Sequence, residues 1–184
     1  LTFDVTGAEN YTTIIAIVPS TLEKDVLWVG TDDGNVQLTR DGGKTWKNVS
    51  NGIKNFPKGG WIPHIHVSEI NKGEAFVVMN DYRRNNWKPY LFHTKDYGKT
   101  FTSLVTEAQV SGYTMSVIQD SEQENLLFLG TENGLYFSLD KGKNWQLWNK
   151  DFPTVQTADF ALQKREADLV VGTFGRAAWV LDDI

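Results

Sequence analysis

One octapeptide pattern occurs three times in this chain of 184 residues. The copies span residues 39–46, 94–101 and 138–145, and each reads Ser/Thr-x-Asp-x-Gly-Lys-Thr/Asn-aromatic. Their aspartates stand 55 and 44 residues apart. A pattern repeated at this period predicts an array of small β-sheet units stacked on one another, because one such unit is too small to bury its apolar surface alone.

Three short segments rich in β-branched and aromatic residues precede each octapeptide, and a fourth follows it. Gly, Asp and Pro residues separate these segments, which predicts four short strands per unit. The pattern therefore predicts an all-β fold, a β-propeller with three complete four-stranded antiparallel blades and an incomplete fourth. The predicted blades span residues 11–51, 61–105, 113–149 and 155–184, with residues 1–10 as a lead-in or closing strand.

The fourth unit stops before its octapeptide is complete. Aligning Gly172 on Gly130 places Asp182 on Asp140, and the sequence ends at Ile184. We therefore expect a fourth blade without its outer strand. Such an open edge recruits partners, so we expect it to pair with the rest of a longer polypeptide or with another copy, unless residues 1–5 supply the strand.

The octapeptide lies between the predicted third and fourth strands, which makes it a hairpin turn. We expect its aspartate to accept hydrogen bonds from backbone N–H groups and its glycine to adopt a positive φ. Its Ser/Thr hydroxyl offers a second local bond, and its aromatic residue fills the space between sheets. The residues predicted to have this structural role are Thr39, Asp41, Gly43, Trp46, Thr94, Asp96, Gly98, Phe101, Ser138, Asp140, Gly142 and Trp145.

The three octapeptides resemble Asp-box repeats, also called BNR repeats, of sialidases, sortilin-type receptors and many bacterial secreted proteins. Asn144 departs mildly from the usual Thr. The flanking segments 27–34, 88–91, 170–176 and 179–184 are similar to large bacterial sortilin-type or "glycosyl hydrolase" BNR-repeat proteins. The resemblance implies a segment of a larger secreted, periplasmic or cell-surface protein. It also places the octapeptide turn on the face opposite the usual ligand pocket.

The loops after the second strand of each unit would share that opposite face. They contain four carboxylates that we regard as weak catalytic candidates and four of five residues that we regard as candidates for ligand binding; the fifth, His64, lies on the first strand of the second unit. Ordinary turn chemistry is the favoured explanation of the acidic loops, and a glycosidase would need two carboxylates at a defined separation. The catalytic candidates are Asp32, Asp33, Asp81 and Glu132, and the ligand-binding candidates are Arg83, Arg84, Arg176, His64 and Trp87.

Composition narrows the classes of function. The net charge of −5 disfavours a nucleic-acid binder, which needs a basic surface for the phosphates. No apolar run is long enough for a membrane span. The chain has no cysteine, and no third histidine stands near His64 and His66 in the sequence, so we predict neither a metal nor a cofactor.

Three functions remain open from the sequence. The first is a non-catalytic binding or scaffold module that takes a glycan or peptide. The second is part of a glycoside hydrolase, and the third is an assembly module that pairs through open blade edges.

Overall fold

The computed structural model describes residues 12–55 and 57–184, which form four antiparallel sheets. The predicted closing strand at residues 1–10 lies outside the described residues. The first sheet contains β1 (Ile14–Pro19), β2 (Leu27–Thr31), β3 (Val36–Thr39) and β4 (Lys47–Asn48). The second contains β5 (Trp61–Val67), β6 (Ala75–Asp81), β7 (Asn86–Thr94) and β8 (Thr102–Ser103).

The third sheet contains β9 (Thr114–Gln119), β10 (Leu127–Thr131), β11 (Gly134–Ser138) and β12 (Gln146–Leu147). The fourth contains β13 (Thr157–Gln163), β14 (Asp168–Thr173) and β15 (Ala178–Leu181). Within the described residues the other regular elements are two single-turn 3₁₀ helices, Ser50–Gly52 and Tyr82–Arg84. We call the sheets blades 1 to 4. The predicted all-β fold is confirmed, and within the described residues the fourth sheet has three strands.

Apolar side chains from neighbouring blades form the core. Trp28 and Leu38 of blade 1 pack in one cluster with Ile65 and Val77 of blade 2. A second cluster joins blades 2 and 3, and a third joins blades 3 and 4. Every residue of β6 is buried, because blades cover blade 2 on both sides. Residues 75–79 of β6 are therefore continuously apolar and do not alternate with polar residues.

Two glycines allow adjacent blades to approach closely. A Cβ on Gly30 would lie 2.6 Å from Ile62 Cγ2 in the first strand of blade 2. A Cβ on Gly130 would lie 2.5 Å from Ser116 Oγ and from the carbonyl oxygen of Thr157, in the first strand of blade 4. Any side chain at these positions would separate the blades or distort their strands.

We predict that Gly130→Ala lowers the free energy of unfolding by about 1–3 kcal/mol, because the new methyl group overpacks this contact. The matched control is Ser116→Ala, which removes a buried hydroxyl that has no hydrogen-bond partner and should be neutral or stabilising. The double variant should recover only part of the loss, since the Thr157 carbonyl oxygen remains in place. Chemical denaturation of the three variants measures these values, and a stable Gly130→Ala protein would contradict the close approach.

Candidate functional site

The three octapeptide turns share one hydrogen-bond pattern. In the first, Asp41 Oδ1 accepts from the backbone N–H of Thr45 (2.9 Å) and from Thr39 Oγ1 (2.8 Å), and Asp41 Oδ2 accepts from Thr45 Oγ1 (2.6 Å). Thr39 Oγ1 in turn accepts from the N–H of Gly43 (2.9 Å). In the third turn Asn144 replaces threonine, and its Nδ2 donates to Asp140 Oδ2 at 2.6 Å. The replacement of threonine by asparagine therefore preserves the side-chain hydrogen bond to Oδ2 of the aspartate.

These bonds hold the carboxylates in their charged form. Hydrogen bonds from Thr45 lower the pKa of Asp41 to about 2, and those from Asn144 do the same for Asp140. Burial would raise the pKa of Asp96, but bonds from Thr100 and Thr94 outweigh it and lower that pKa to about 2. The glycines at positions 43, 98 and 142 have φ values of 90°, 72° and 82°. The carboxylates are thus occupied in closing the turns, which makes them poor general bases.

In the second and third turns, the residue after the aspartate reaches the preceding blade. Tyr97 donates its hydroxyl to Glu23 Oε2 of blade 1 at 2.8 Å. Lys141 lies 2.8 Å from Glu74 Oε1 of blade 2 and 3.1 Å from Glu124. The octapeptide turns therefore contribute to contact between blades as well as to the hairpin.

Glu74 is a buried charge at the contact between blades 2 and 3. Its carboxylate lies 2.6 Å from His93 Nε2 and accepts from Asn71 Nδ2 at 2.9 Å, in addition to the Lys141 contact. Burial raises the pKa of Glu74, but the hydrogen bonds from His93, Lys141 and Asn71 outweigh it and lower the pKa to about 2. This network is a structural clamp that the sequence alone did not indicate.

The three aromatic residues of the octapeptides differ in burial. Trp145 is buried and donates its indole N–H to the Leu104 carbonyl oxygen of blade 2 (2.8 Å), and Phe101 packs against the core between blades 1 and 2. Trp46 is 47% exposed, so the expectation that it fills space between sheets is wrong for this residue. The reason is position: the described residues include no blade before blade 1 for Trp46 to contact.

On the opposite face, the connection between the second and third strands of blade 2 is short. β6 continues to Asp81 and β7 begins at Asn86. The connection is the 3₁₀ turn Tyr82–Arg84 followed by Asn85, which has a φ of 61°. The extended strands support this connection and hold Trp87 on β7.

The four candidate catalytic carboxylates lie in the connections of three different blades. Asp32 Oδ1 accepts from the backbone N–H groups of Thr12 (2.9 Å) and Thr13 (2.8 Å), just before β1. Asp33 accepts from the Thr31 hydroxyl, and Asp81 binds Arg84 and Asn86. Glu132 is half-buried in the tight connection between β10 and β11. Three of the four carboxylates thus accept hydrogen bonds from groups of their own blade or its entry segment.

An aromatic cluster lies where this connection of blade 2 meets blade 3. The rings of Tyr82 and Tyr113 are stacked, with centroids 4.3 Å apart, and Trp87 lies 5.8 Å from Tyr113 and 6.1 Å from Tyr82. The Arg83 guanidinium lies 3.4 Å from the Trp61 ring centroid and 4.4 Å from that of Tyr82. Burial, Glu132 and Tyr82 raise the pKa of Tyr113. We call Trp61, Tyr82, Arg83, Trp87 and Tyr113 the aromatic platform.

Trp87 is the exposed aromatic member of the platform. It is 49% exposed, and its indole N–H donates to Asn85 Oδ1 at 3.0 Å. Arg84, in the same connection, is held by Asp81 and by the carbonyl oxygen of Lys58 (2.7 Å). Sequence reasoning selected Trp87, Arg83 and Arg84 but not Tyr113, because nothing local shows that its ring meets those of the preceding blade.

The remaining two candidates lie elsewhere. Arg176 is exposed in the loop between β14 and β15, and its carbonyl oxygen accepts from Trp179 Nε1 (3.0 Å). His64 contacts the first strands of the next two blades: its Nδ1 accepts from the Val117 N–H (3.4 Å), and its Nε2 is 3.8 Å from Asp159 Oδ1. Burial lowers the pKa of His64, partly opposed by Asp159, which favours a neutral ring.

Among the described residues, His, Asp and Glu side chains form no group of three that could hold a metal ion. That part of the chain also contains no helix with the length and apolar character needed to cross a membrane.

Comparison with known proteins gives one family match. The family model Sortilin-Vps10 (sortilin, neurotensin receptor 3) matches residues 34–173, well over half of the chain. A search of curated proteins gave no significant match.

Solved structures of low sequence identity share the fold. The GH74 enzyme of Niastella koreensis matches 92% of this chain with a TM-score of 0.70 and 16% identity, and YCF48 bound to D1 peptide matches 94% with a TM-score of 0.66 and 16% identity. The computationally designed Ika8 protein matches 92% with a TM-score of 0.59 and 13% identity. The chain spans 29%, 52% and 45% of those three chains, respectively. The likeness supports the β-propeller fold.

We predict that Lys141→Met lowers the free energy of unfolding by about 3 kcal/mol, because it leaves the buried Glu74 carboxylate without its strongest cation. The matched control is Lys143→Met in the same turn, where the exposed side chain should contribute less than about 0.5 kcal/mol. Thermal and urea denaturation of both variants test this. Equal losses would show that Glu74 does not depend on Lys141.

A second prediction concerns the stability of the protein at low pH. The lowered pKa values of Asp41, Asp96 and Asp140 mean that their stabilising effect is complete above the ordinary pKa of 3.8 and is lost as the pH falls towards 2. Asp140→Asn should lower stability at neutral pH and should reduce proton uptake on unfolding between about pH 2 and 4 by up to about one proton. Denaturation across that pH range measures the slope, and an unchanged slope would contradict the assignment.

Proposed function

The chain belongs to the Sortilin-Vps10 family, and we propose that it is a non-catalytic binding segment of a β-propeller whose ligand lies on the face opposite the octapeptide turns. The observation that carries this proposal is the aromatic platform with its exposed, oriented Trp87. Family membership also supports a place in a longer, extracytoplasmic protein.

The platform is organised before any ligand arrives. The stacked rings of Tyr82 and Tyr113 both lie near Trp87, and the bond to Asn85 limits rotation of the indole. A ring held in this way loses little conformational entropy on binding, so more of the contact energy contributes to affinity. One half of its surface remains available to a flat apolar group.

Polar side chains surround the rings. Arg84 and Asn85 flank Trp87 on its own connection, and Glu132 lies close enough to Tyr113 to raise its pKa. Their guanidinium, amide and carboxylate groups donate and accept hydrogen bonds. An apolar surface with a few directed polar groups is the general composition of a ligand site.

A glycan satisfies this arrangement best. The apolar face of a sugar ring would stack on Trp87 while its hydroxyls bond to the flanking groups. Pro89 follows closely on β7 and has no N–H to offer, which disfavours a peptide that would pair as an extra strand there. The hydrogen-bonded state of Asp32, Asp33 and Asp81 favours binding over hydrolysis.

A peptide is the second candidate ligand. The observation that favours it is the likeness to YCF48, whose structure was determined with a D1 peptide. On this alternative, Trp87 would pack against an apolar or proline side chain and the flanking groups would bind the peptide backbone.

We predict that the protein is retarded in affinity gel electrophoresis by at least one soluble polysaccharide among β-glucan, xyloglucan, mannan and arabinoxylan. Trp87→Ala should weaken that binding tenfold or more, about 1.4 kcal/mol, because the stacking surface is lost. The matched control is Trp46→Ala, which removes an equally exposed tryptophan from the turn face and should bind like the wild type.

Two outcomes would count against the glycan. Equal effects of Trp87→Ala and Trp46→Ala would contradict the platform as the site. Retardation by none of the polysaccharides, together with Trp87-dependent binding to an immobilised peptide library, would favour the peptide.

A further inference from the structure

Basic side chains line a groove between the first two octapeptide turns. The groove has a volume of about 200 Å³ and is lined by Arg40 and Lys47 of blade 1 and by Tyr97 and Lys99 of blade 2. Leu38 also lines it, pairs with Lys47, and belongs to the core cluster that joins blades 1 and 2. Paired residues project from the same side of a sheet, so the groove lies at this junction within the array. We call it the basic groove.

The guanidinium of Arg40 has a defined position in the basic groove. It lies 3.7 Å from the centroid of the Tyr97 ring, a cation–π contact between the turns of the two blades. Tyr97 is held in turn by its hydroxyl, which donates to Glu23 Oε2 at 2.8 Å. The N–H groups of a guanidinium lie in its own plane and can bond two oxygens of one carboxylate, sulfate or phosphate. Arg40 is therefore positioned to bind an anion before one arrives.

The cations of the basic groove have no carboxylate partner among the described residues. Arg40, Lys47 and Lys99 are exposed, and no ion pair between residues of the described part of the chain includes any of them. The lining of the groove also contains no Asp or Glu. Their charges are therefore available to a ligand.

The surroundings of the groove are positive in a chain whose net charge is −5. Residues 39–47 and 94–101 together contain five basic and two acidic residues, a net charge of +3. Residues 23–25, which bond to both turns, add two acidic residues and one lysine, so the local net charge is +2. The positive charge is thus concentrated against the overall balance of the chain.

The next junction, between blades 2 and 3, has a different composition. Its groove is lined by the glutamates Glu74 and Glu124 as well as by lysines. Lys141, one of those lysines, pairs with both glutamates. A surplus of unpaired cations is therefore a property of the first junction and not of every contact between octapeptide turns.

We propose that the basic groove binds the acidic groups of an anionic polysaccharide, a carboxylate or a sulfate on a sugar chain. Arg40 would bond the acidic group, and Lys47 and Lys99 would neutralise the charges beside it. The groove is smaller than the roughly 300–1,000 Å³ of sites that enclose a drug-sized ligand. Its size suits one charged unit of a longer chain that continues over the surface.

Two other classes of polyanion fit the groove less well. An acidic peptide would gain most by pairing with a sheet edge, but the outer strand beside the groove, β4, has two residues. A nucleic acid needs a long basic surface for its phosphates, and the net charge of −5 disfavours one. A sugar chain with spaced acidic groups requires neither feature.

Binding to three immobilised polysaccharides tests this proposal, by biolayer interferometry at about 0.15 M ionic strength, where the Debye length is about 8 Å. Dextran sulfate presents sulfates, polygalacturonate presents carboxylates, and dextran is the uncharged control. The protein should bind at least one acidic chain, which identifies the acidic group, and should not bind dextran. Arg40→Gln and Lys99→Gln should each weaken that binding about threefold or more, because each removes a charge-assisted bond.

The matched controls remove the same charge from the same octapeptide position in another turn. Lys95→Gln corresponds to Arg40→Gln, and Lys143→Gln corresponds to Lys99→Gln. Both controls should stay within about twofold of the wild type, because neither side chain lines the basic groove. Trp87→Ala should also bind the acidic chain like the wild type, which separates this site from the aromatic platform. Circular dichroism checks that each variant is folded.

Three outcomes would overturn the proposal. The first is equal weakening by the groove variants and their controls, which would indicate a general effect of charge. The second is binding to neither acidic polysaccharide, or equal binding to dextran. The third is tighter binding to poly-L-glutamate than to either acidic polysaccharide, which would indicate an acidic peptide.

Discussion

Packing between blades is the interaction on which the rest of the structure depends. Each four-stranded sheet is apolar on both faces, so it gains stability only when another sheet covers it. Gly30 and Gly130 allow the sheets to approach, and Trp145 and Lys141 add a hydrogen bond and an ion pair across the contact. The hairpins, turns and loops are held in place by this packing, and both faces of the blade array take their positions from it.

The two faces of the array have different chemistry. On one face, the carboxylate oxygens of the octapeptide aspartates accept hydrogen bonds from neighbouring backbone and side-chain groups, which leaves little capacity for a ligand. On the other, Trp87 keeps half of its surface exposed above a stacked pair of tyrosines. The octapeptide turns and the aromatic platform therefore lie on opposite faces of the array. The candidate site is in the part of the sequence that does not repeat.

The octapeptide repeat was sufficient to predict the fold class, because turn chemistry and strand patterning act over a few residues. It was not sufficient for the connection in blade 2, where pairing between Asp81 and Asn86 extends both strands into a segment that looks like loop. Trp46 and Trp145 hold the same place in the same motif, yet one is exposed and the other buried. Their difference depends on whether a blade precedes them in space.

The sequence by itself determined the strands and the three closed turns, since these follow from local hydrogen bonding and residue preference. Only the tertiary structure decided which residues meet across blades. It brought Tyr113 onto Tyr82, buried Glu74 beside Lys141 and left Trp46 exposed. These contacts join residues distant in sequence, and their energy depends on how sheets stack rather than on how any one sheet forms.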